Sequence, residues 1–138
     1  MKLVICEKPS VGAAVAAALG VTGKKDGYIE NDKYIISWCI GHLVQLSEAA
    51  AYGEQYRKWS YDSLPILPQE WQYTVAADKG KQFKILKDLM HRADVSEVVN
   101  ACDAGREGEL IFRFVYHQAG CKKPFTRLWI SSMETDAI

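Results

Sequence analysis

Short apolar runs alternate with longer amphipathic stretches along the whole chain. "KLVIC" (2–6) is compact and rich in branched residues, the pattern of a strand covered on both faces. "PSVGAAVAAALG" follows, with Pro9 suited to a first helical turn and Gly20 to a stop. Val11, Ala14, Val15, Ala18 and Leu19 form its expected apolar stripe. "GYIENDKYIISWCIG" (27–41) predicts two strands joined at Asn31-Asp32, a β-hairpin. The stretch 49–68 is aromatic and loop-like, broken by Pro65 and Pro68, and "WQYTV" (71–75) is another short strand. Asp78 is placed to cap a helix reaching about Arg92, with Phe83, Leu86, Leu89, Met90 and Ala93 at helical spacing. A strand at 97–102, a helix from about Gly105 to Ala119 and a strand at 126–131 complete the series. Strands alternating with helices predict an α/β fold: a mainly parallel sheet, helices on both faces, and an added β-hairpin.

Near the end, "SSME" (131–134) has the S-x-x-E form that opens helices, yet four residues follow it. The expectation is one domain, 1–138, cut from a longer polypeptide. The length suits such a domain, able to bury roughly two thirds of its unfolded surface. Composition changes this picture little. Basic and acidic residues balance at 17 each, so any nucleic-acid partner must be argued from local patches. No run approaches the ~20 apolar residues of a membrane span. The N-terminal apolar run is too short for a secretion signal, so a cytoplasmic protein is expected. Cys6, Cys39, Cys102 and Cys121 lack the C-x-x-C spacing of zinc sites; the first three sit in apolar runs, as small buried hydrophobes do.

Candidate chemistry concentrates in "NACDAGREGEL" (100–110), where Asp103, Glu107 and Glu109 crowd a strand-to-helix junction. In α/β sheets, ligands gather at the carboxyl ends of strands. Glu7 ends the first strand and Asp103 the strand at 97–102, which puts both on one rim. Helical spacing of Glu107, Leu110, Ile111, Phe114 and Gln118 aims Glu107 at that rim. Glu109 lies about 200° away around the helix and is expected to pair outward with Arg113. Two unit charges 4 Å apart repel by about 4 kcal/mol at an effective dielectric of 20. Converging Glu7, Asp103 and Glu107 therefore need a proton, a basic partner or a cation. Hard oxygen donors suit Mg²⁺. The spacing also admits a structural reading, with Asp103 as a helix cap and Lys8 and Arg106 neutralising the acids.

"DAGREGEL", with "CEKPS" and "WCIGHL", resembles the Toprim domain of type IA DNA topoisomerases, within them the topoisomerase III branch. The likeness runs from "LVICEKPS" through "WCIGHL", "LPILPQEW" and "DAGREGE" to "RLWISSM", and the order of motifs makes it specific. The family's D-x-D-x-E motif falls on Asp103, Gly105 and Glu107, so glycine stands where the pattern has its second aspartate. The resemblance implies an enzyme, an isomerase, that cuts one DNA strand through a tyrosine, passes another strand and reseals without ATP. It implies that Glu7 acts as general acid or base, that Lys8 meets the scissile phosphate, and that Asp103 and Glu107, beside Glu7, hold Mg²⁺. It also implies a tyrosine nucleophile in a separate domain. None of the seven tyrosines here matches that motif, so the chain alone is expected to be inactive.

"YRKW" (56–59) mixes cations with stacking surfaces. Trp59 matches a DNA-contacting position of the family, while Tyr56 reads as an aromatic tucked against the core. His42, after a strand, either reaches the site or is an ordinary structural histidine. Lys8, His42, Trp59 and Arg106 are the expected DNA contacts. The implied partners are single-stranded or negatively supercoiled DNA and the remaining domains of the same polypeptide; the implied location is the cytoplasm, at the nucleoid in a bacterium. Two alternatives stand beside this one: another Toprim phosphoryl-transfer enzyme (a primase or nuclease), and a non-catalytic α/β nucleic-acid-binding module.

Overall fold

A computed structural model describes all 138 residues. Six strands form the main sheet in the order β2-β3-β4-β1-β7-β8. Strand β1 (Lys2–Cys6) lies at its centre, parallel to both β4 (Tyr34–Trp38) and β7 (Glu97–Ala101). Strand β8 (Phe125–Arg127) runs parallel to β7, and β2 (Gly23–Lys25) and β3 (Tyr28–Glu30) add an antiparallel edge. The expected hairpin is β3–β4, and the Asn31 side chain fixes its turn by accepting from the N–H groups of Lys33 and Tyr34. Strand β2 was not foreseen. Its three residues are all exposed, so no apolar alternation marks them.

Alternation along β1 separates two cores. Leu3 and Ile5 face the larger one, built with helices α2 (Gly80–Met90) and α3 (Arg106–Gln118). Val4 and Cys6 face the smaller one, beneath α1 (Pro9–Ala18). Helices therefore cover both faces, as expected of this α/β class. Strand β5 (Val44–Leu46) pairs antiparallel with β6 (Tyr73–Val75) in a separate two-stranded sheet. The region between them holds three 3-10 turns, at Ala49–Tyr52, Glu54–Tyr56 and Tyr61–Ser63.

Several local expectations are corrected. In α1 the buried face is Val11, Gly12, Val15 and Ala16, while Leu19 is exposed. Asp78 caps nothing: a 3-10 turn at Ala77–Lys79 leads into α2, whose N-cap is Lys79 without a side-chain bond. Ala93 lies beyond that helix and is exposed. Strand β8 ends at Arg127, not Ser131, and residues 134–138 form a single turn closed on the Glu134 carbonyl. Ser132, rather than Ser131, accepts the Glu134 N–H. All four cysteines are free and buried. Burial pushes the Cys6 thiol up to about 12, and a hydrogen bond with Cys102, aided by burial, holds Cys39 well above the usual thiol range.

Candidate active site

Parallel pairing of β1 with β7 brings Cys6 opposite Ala101, so the residues that follow emerge on one rim. Glu7 and Asp103 meet there: Glu7 Oε2 accepts the Asp103 N–H at 3.2 Å. Lys8 is the extended N-cap of α1; it is exposed and forms no salt bridge, so its ammonium is left for solvent or a ligand. The Asp103 carboxylate is exposed and accepts no hydrogen bond from the protein, and it does not cap α3.

Helix α3 is rotated from its expected phase. Gly108, Ile111, Phe112, Val115 and Tyr116 are buried, whereas Leu110 and Phe114 are half-buried and Gln118 is exposed. Gly108 causes this rotation. A Cβ there would stand 2.7 Å from Asp103 N and closer still to its carbonyl oxygen, so only glycine lets the first turn press against the Asp103 peptide. The rotation carries Glu107 to the side, where its Oε2 lies 3.1 Å from His42 Nε2. Lys79 Nζ donates to the His42 carbonyl at 3.3 Å, and the His42 ring lies beside Phe114. His42 is thus at the site, joined to one of its acids.

The same rotation turns Glu109 inward, against expectation. It does pair with Arg113 (Nε to Oε1, 2.7 Å), but its other oxygen accepts from Asn100 Nδ2 at 2.9 Å and lies 3.3 Å from an Arg127 nitrogen. Arg127 and Asn100 were not singled out in the sequence. A polar residue inside an apolar strand, followed 27 positions later by an arginine ending another, was the available signal.

Glu7, Asp103 and Glu107 do not close into one ligand cluster: no three His, Cys, Asp or Glu side chains gather closely enough to hold a metal ion. Glu7 is engaged with a backbone N–H and Glu107 with His42. The donor set instead suits a cation bound through one or two carboxylates, waters and substrate phosphate, as Mg²⁺ commonly is. The unpartnered Asp103 carboxylate is the observation that fits. The ion-pair alternative is weak here: Arg106, almost fully exposed, reaches Glu107 only at 4.0 Å, and Lys8 reaches no acid. Gly105 is extended (φ −164°), and a Cβ there would meet nothing within 4 Å, so no tight turn demands glycine.

Trp59 lies in the 49–72 region, 79% exposed, and shares no hydrogen bond with the acids. Neighbouring Arg57 is paired with Glu54 at 2.7 Å, Tyr56 is half-buried as expected, and Tyr61 is fully open to solvent.

The α/β sheet thus carries acids at the ends of two adjacent parallel strands, β1 and β7, and sequence comparison specifies the family. The Toprim domain family matches residues 2–133, and the chain belongs to it. It is 45% identical over 136 residues to DNA topoisomerase 3 of Staphylococcus haemolyticus, 47% over 137 to that of Shouchella clausii, and 44% over 136 to that of Bacillus subtilis. Each match covers 99% of this chain but 19% of the relative, so the chain spans about a fifth of the length of these curated relatives. No helix is long and apolar enough to cross a membrane.

Proposed function

We propose that the chain is the Toprim catalytic part of a type IA DNA topoisomerase of the topoisomerase III kind, which cuts and reseals single DNA strands without ATP. The observation carrying this reading is the Glu7–Asp103 contact on one sheet rim, beside an ammonium and a carboxylate without protein partners. Glu7 is the proton carrier: its second oxygen is free to take or give a proton at the scissile phosphodiester while the first holds the Asp103 peptide. Lys8 meets the phosphate as a point charge, which stabilises charge developing on its oxygens. Asp103 and Glu107 hold Mg²⁺, with Glu7 adjacent. The ion supplies charge neutralisation at the phosphate when bound. His42 orients Glu107, and Arg106 and Trp59 contact the DNA strand, the latter by stacking. The tyrosine nucleophile comes from elsewhere in a longer polypeptide, so this chain alone neither relaxes DNA nor forms a covalent adduct. Single-stranded or negatively supercoiled DNA is the substrate, and the bacterial cytoplasm, at the nucleoid, is the setting.

A chimera tests this reading. The chain replaces the matching segment of the Bacillus subtilis DNA topoisomerase 3, and relaxation of negatively supercoiled plasmid is followed with and without Mg²⁺. Mg²⁺-dependent, ATP-independent relaxation is expected, lost in Glu7→Gln by roughly 10²–10⁴-fold. Nicking without resealing would favour a nuclease, and DNA binding without any Glu7-dependent chemistry would favour a binding module.

A further inference from the structure

Asn100 is wholly buried in β7, yet both ends of its amide are hydrogen-bonded. Nδ2 donates to Glu109 Oε2 at 2.9 Å, and Oδ1 accepts from the Cys102 N–H at 3.1 Å and from Arg127 at 3.2 Å. The Arg127 guanidinium, one-fifth exposed, spreads its donors across the strand end: one nitrogen to the Cys102 carbonyl at 2.5 Å, the other to the Asp103 carbonyl at 2.8 Å. Glu109 lies 3.3 Å from that second nitrogen. A cation drawn this far out of water needs a counter-charge, and Glu109 supplies it. The Asp103 backbone is thereby held at both ends, its N–H by Glu7 and its C=O by Arg127, while its carboxylate is left open.

We propose that Glu109, acting through Arg127 and Asn100, is a positioning residue that sets where Asp103 presents its carboxylate. The proposal rests on reading Asp103 as a Mg²⁺ ligand, although its effect on the Asp103 backbone is independent of any metal. An isolated lysine at 127 cannot replace the fork, because an ammonium is a single point and cannot span two carbonyls and a carboxylate. Glutamine at 109 offers one acceptor where the network uses two oxygens, and its amide hydrogens oppose Arg113 or Arg127. Arg113 is the matched control. It binds the same Glu109 and also stacks over Phe125, so its loss disturbs packing, but it touches neither carbonyl.

The test uses the 138-residue chain, with Mn²⁺ as a paramagnetic probe and the Asp103 amide resonance read without metal. In Glu109→Gln and Arg127→Lys the Asp103 amide is expected to shift, and Mn²⁺ affinity at residues 103–107 to fall about tenfold, the lower end for partners that orient metal ligands. Arg113→Gln is expected to leave both unchanged whatever it costs in stability. An unmoved Asp103 amide and Mn²⁺ affinity within twofold of the parent in both folded variants would overturn the proposal. So would losses in Arg113→Gln that track its lowered stability, since they would make the network merely structural. If the parent chain binds no Mn²⁺ there, the metal reading fails by itself, and the metal-free Asp103 shift still decides the positioning role.

Discussion

Gly108 packs directly on the peptide of Asp103, leaving no room for a side chain between α3 and the end of β7. Alanine at 108 must push backbone against backbone, so Gly108→Ala should destabilise by about 1–3 kcal/mol despite alanine's better helix propensity. Gly105→Ala, in open space and extended backbone, should be neutral or stabilising by up to about 1 kcal/mol. Urea melts of both variants check this contrast. Equal stability of the two would mean the close approach at Gly108 is not tight.

Gly105→Asp adds an acid between Asp103 and Glu107. With no φ strain and no clash, its cost is charge repulsion alone, present at neutral pH and relieved on acidification. Melts across pH and Mg²⁺ should show a variant less stable than the parent without metal, with a larger stabilisation by Mg²⁺. Equal Mg²⁺ stabilisation of the two proteins would place residue 105 away from the cation.

Acid sensitivity follows from two surface carboxylates. A hydrogen bond from Arg92 holds Asp94 below the usual carboxylate range, and bonds from Thr126 and Lys2 do the same for Glu97. Because both folded values are depressed, the stability they confer is present above the unfolded values of about 4 and is lost as pH falls through the folded ones. Urea midpoints measured from pH 7 down to about 2 should therefore decline more gently in an Asp94→Asn, Glu97→Gln double variant than in the parent. Parallel declines would remove these groups from the acid limb.

Trp59 is exposed, as a residue stacking on single-stranded DNA must be. Trp59→Ala should weaken oligonucleotide binding by about 1–3 kcal/mol, the worth of one stacked base. Lys58→Gln should chiefly flatten the salt dependence. Fluorescence anisotropy titrations at two salt concentrations distinguish them. Unchanged affinity in Trp59→Ala would return this residue to the role of an ordinary exposed aromatic.

What was legible in the sequence was whatever burial writes into it. Strands β1 and β7 and the β3–β4 hairpin read directly, because both faces of a central strand must be apolar and Asn31 closes its turn with its own side chain. The rim pairing of Glu7 with Asp103 followed from strand ends alone. The phase of α3 did not, since the apolar spacing through Leu110, Ile111 and Phe114 fits two rotations of the helix about equally. A single atom-scale constraint, the absence of a Cβ at Gly108, chose between them. That choice redirected Glu107 towards His42 and drew Glu109 into contact with Asn100 and Arg127. The edge strand β2 was silent because its three residues are all exposed, and β5 because three residues with one buried position, Val44, are too short to show alternation.

The central claim is that Asp103 and Glu107, beside Glu7, form a cation site on this rim. Mn²⁺ titration of the ¹⁵N-labelled 138-residue chain tests it most directly. Selective broadening should begin at Glu7, Lys8 and residues 102–108, with weak affinity because no phosphate is present and Gly105 supplies no carboxylate. Competition by Mg²⁺ should restore those signals, and Asp103→Asn should abolish the effect. Broadening absent at millimolar Mn²⁺, or spread evenly over surface carboxylates such as Asp62, Glu70 and Asp136, would contradict it.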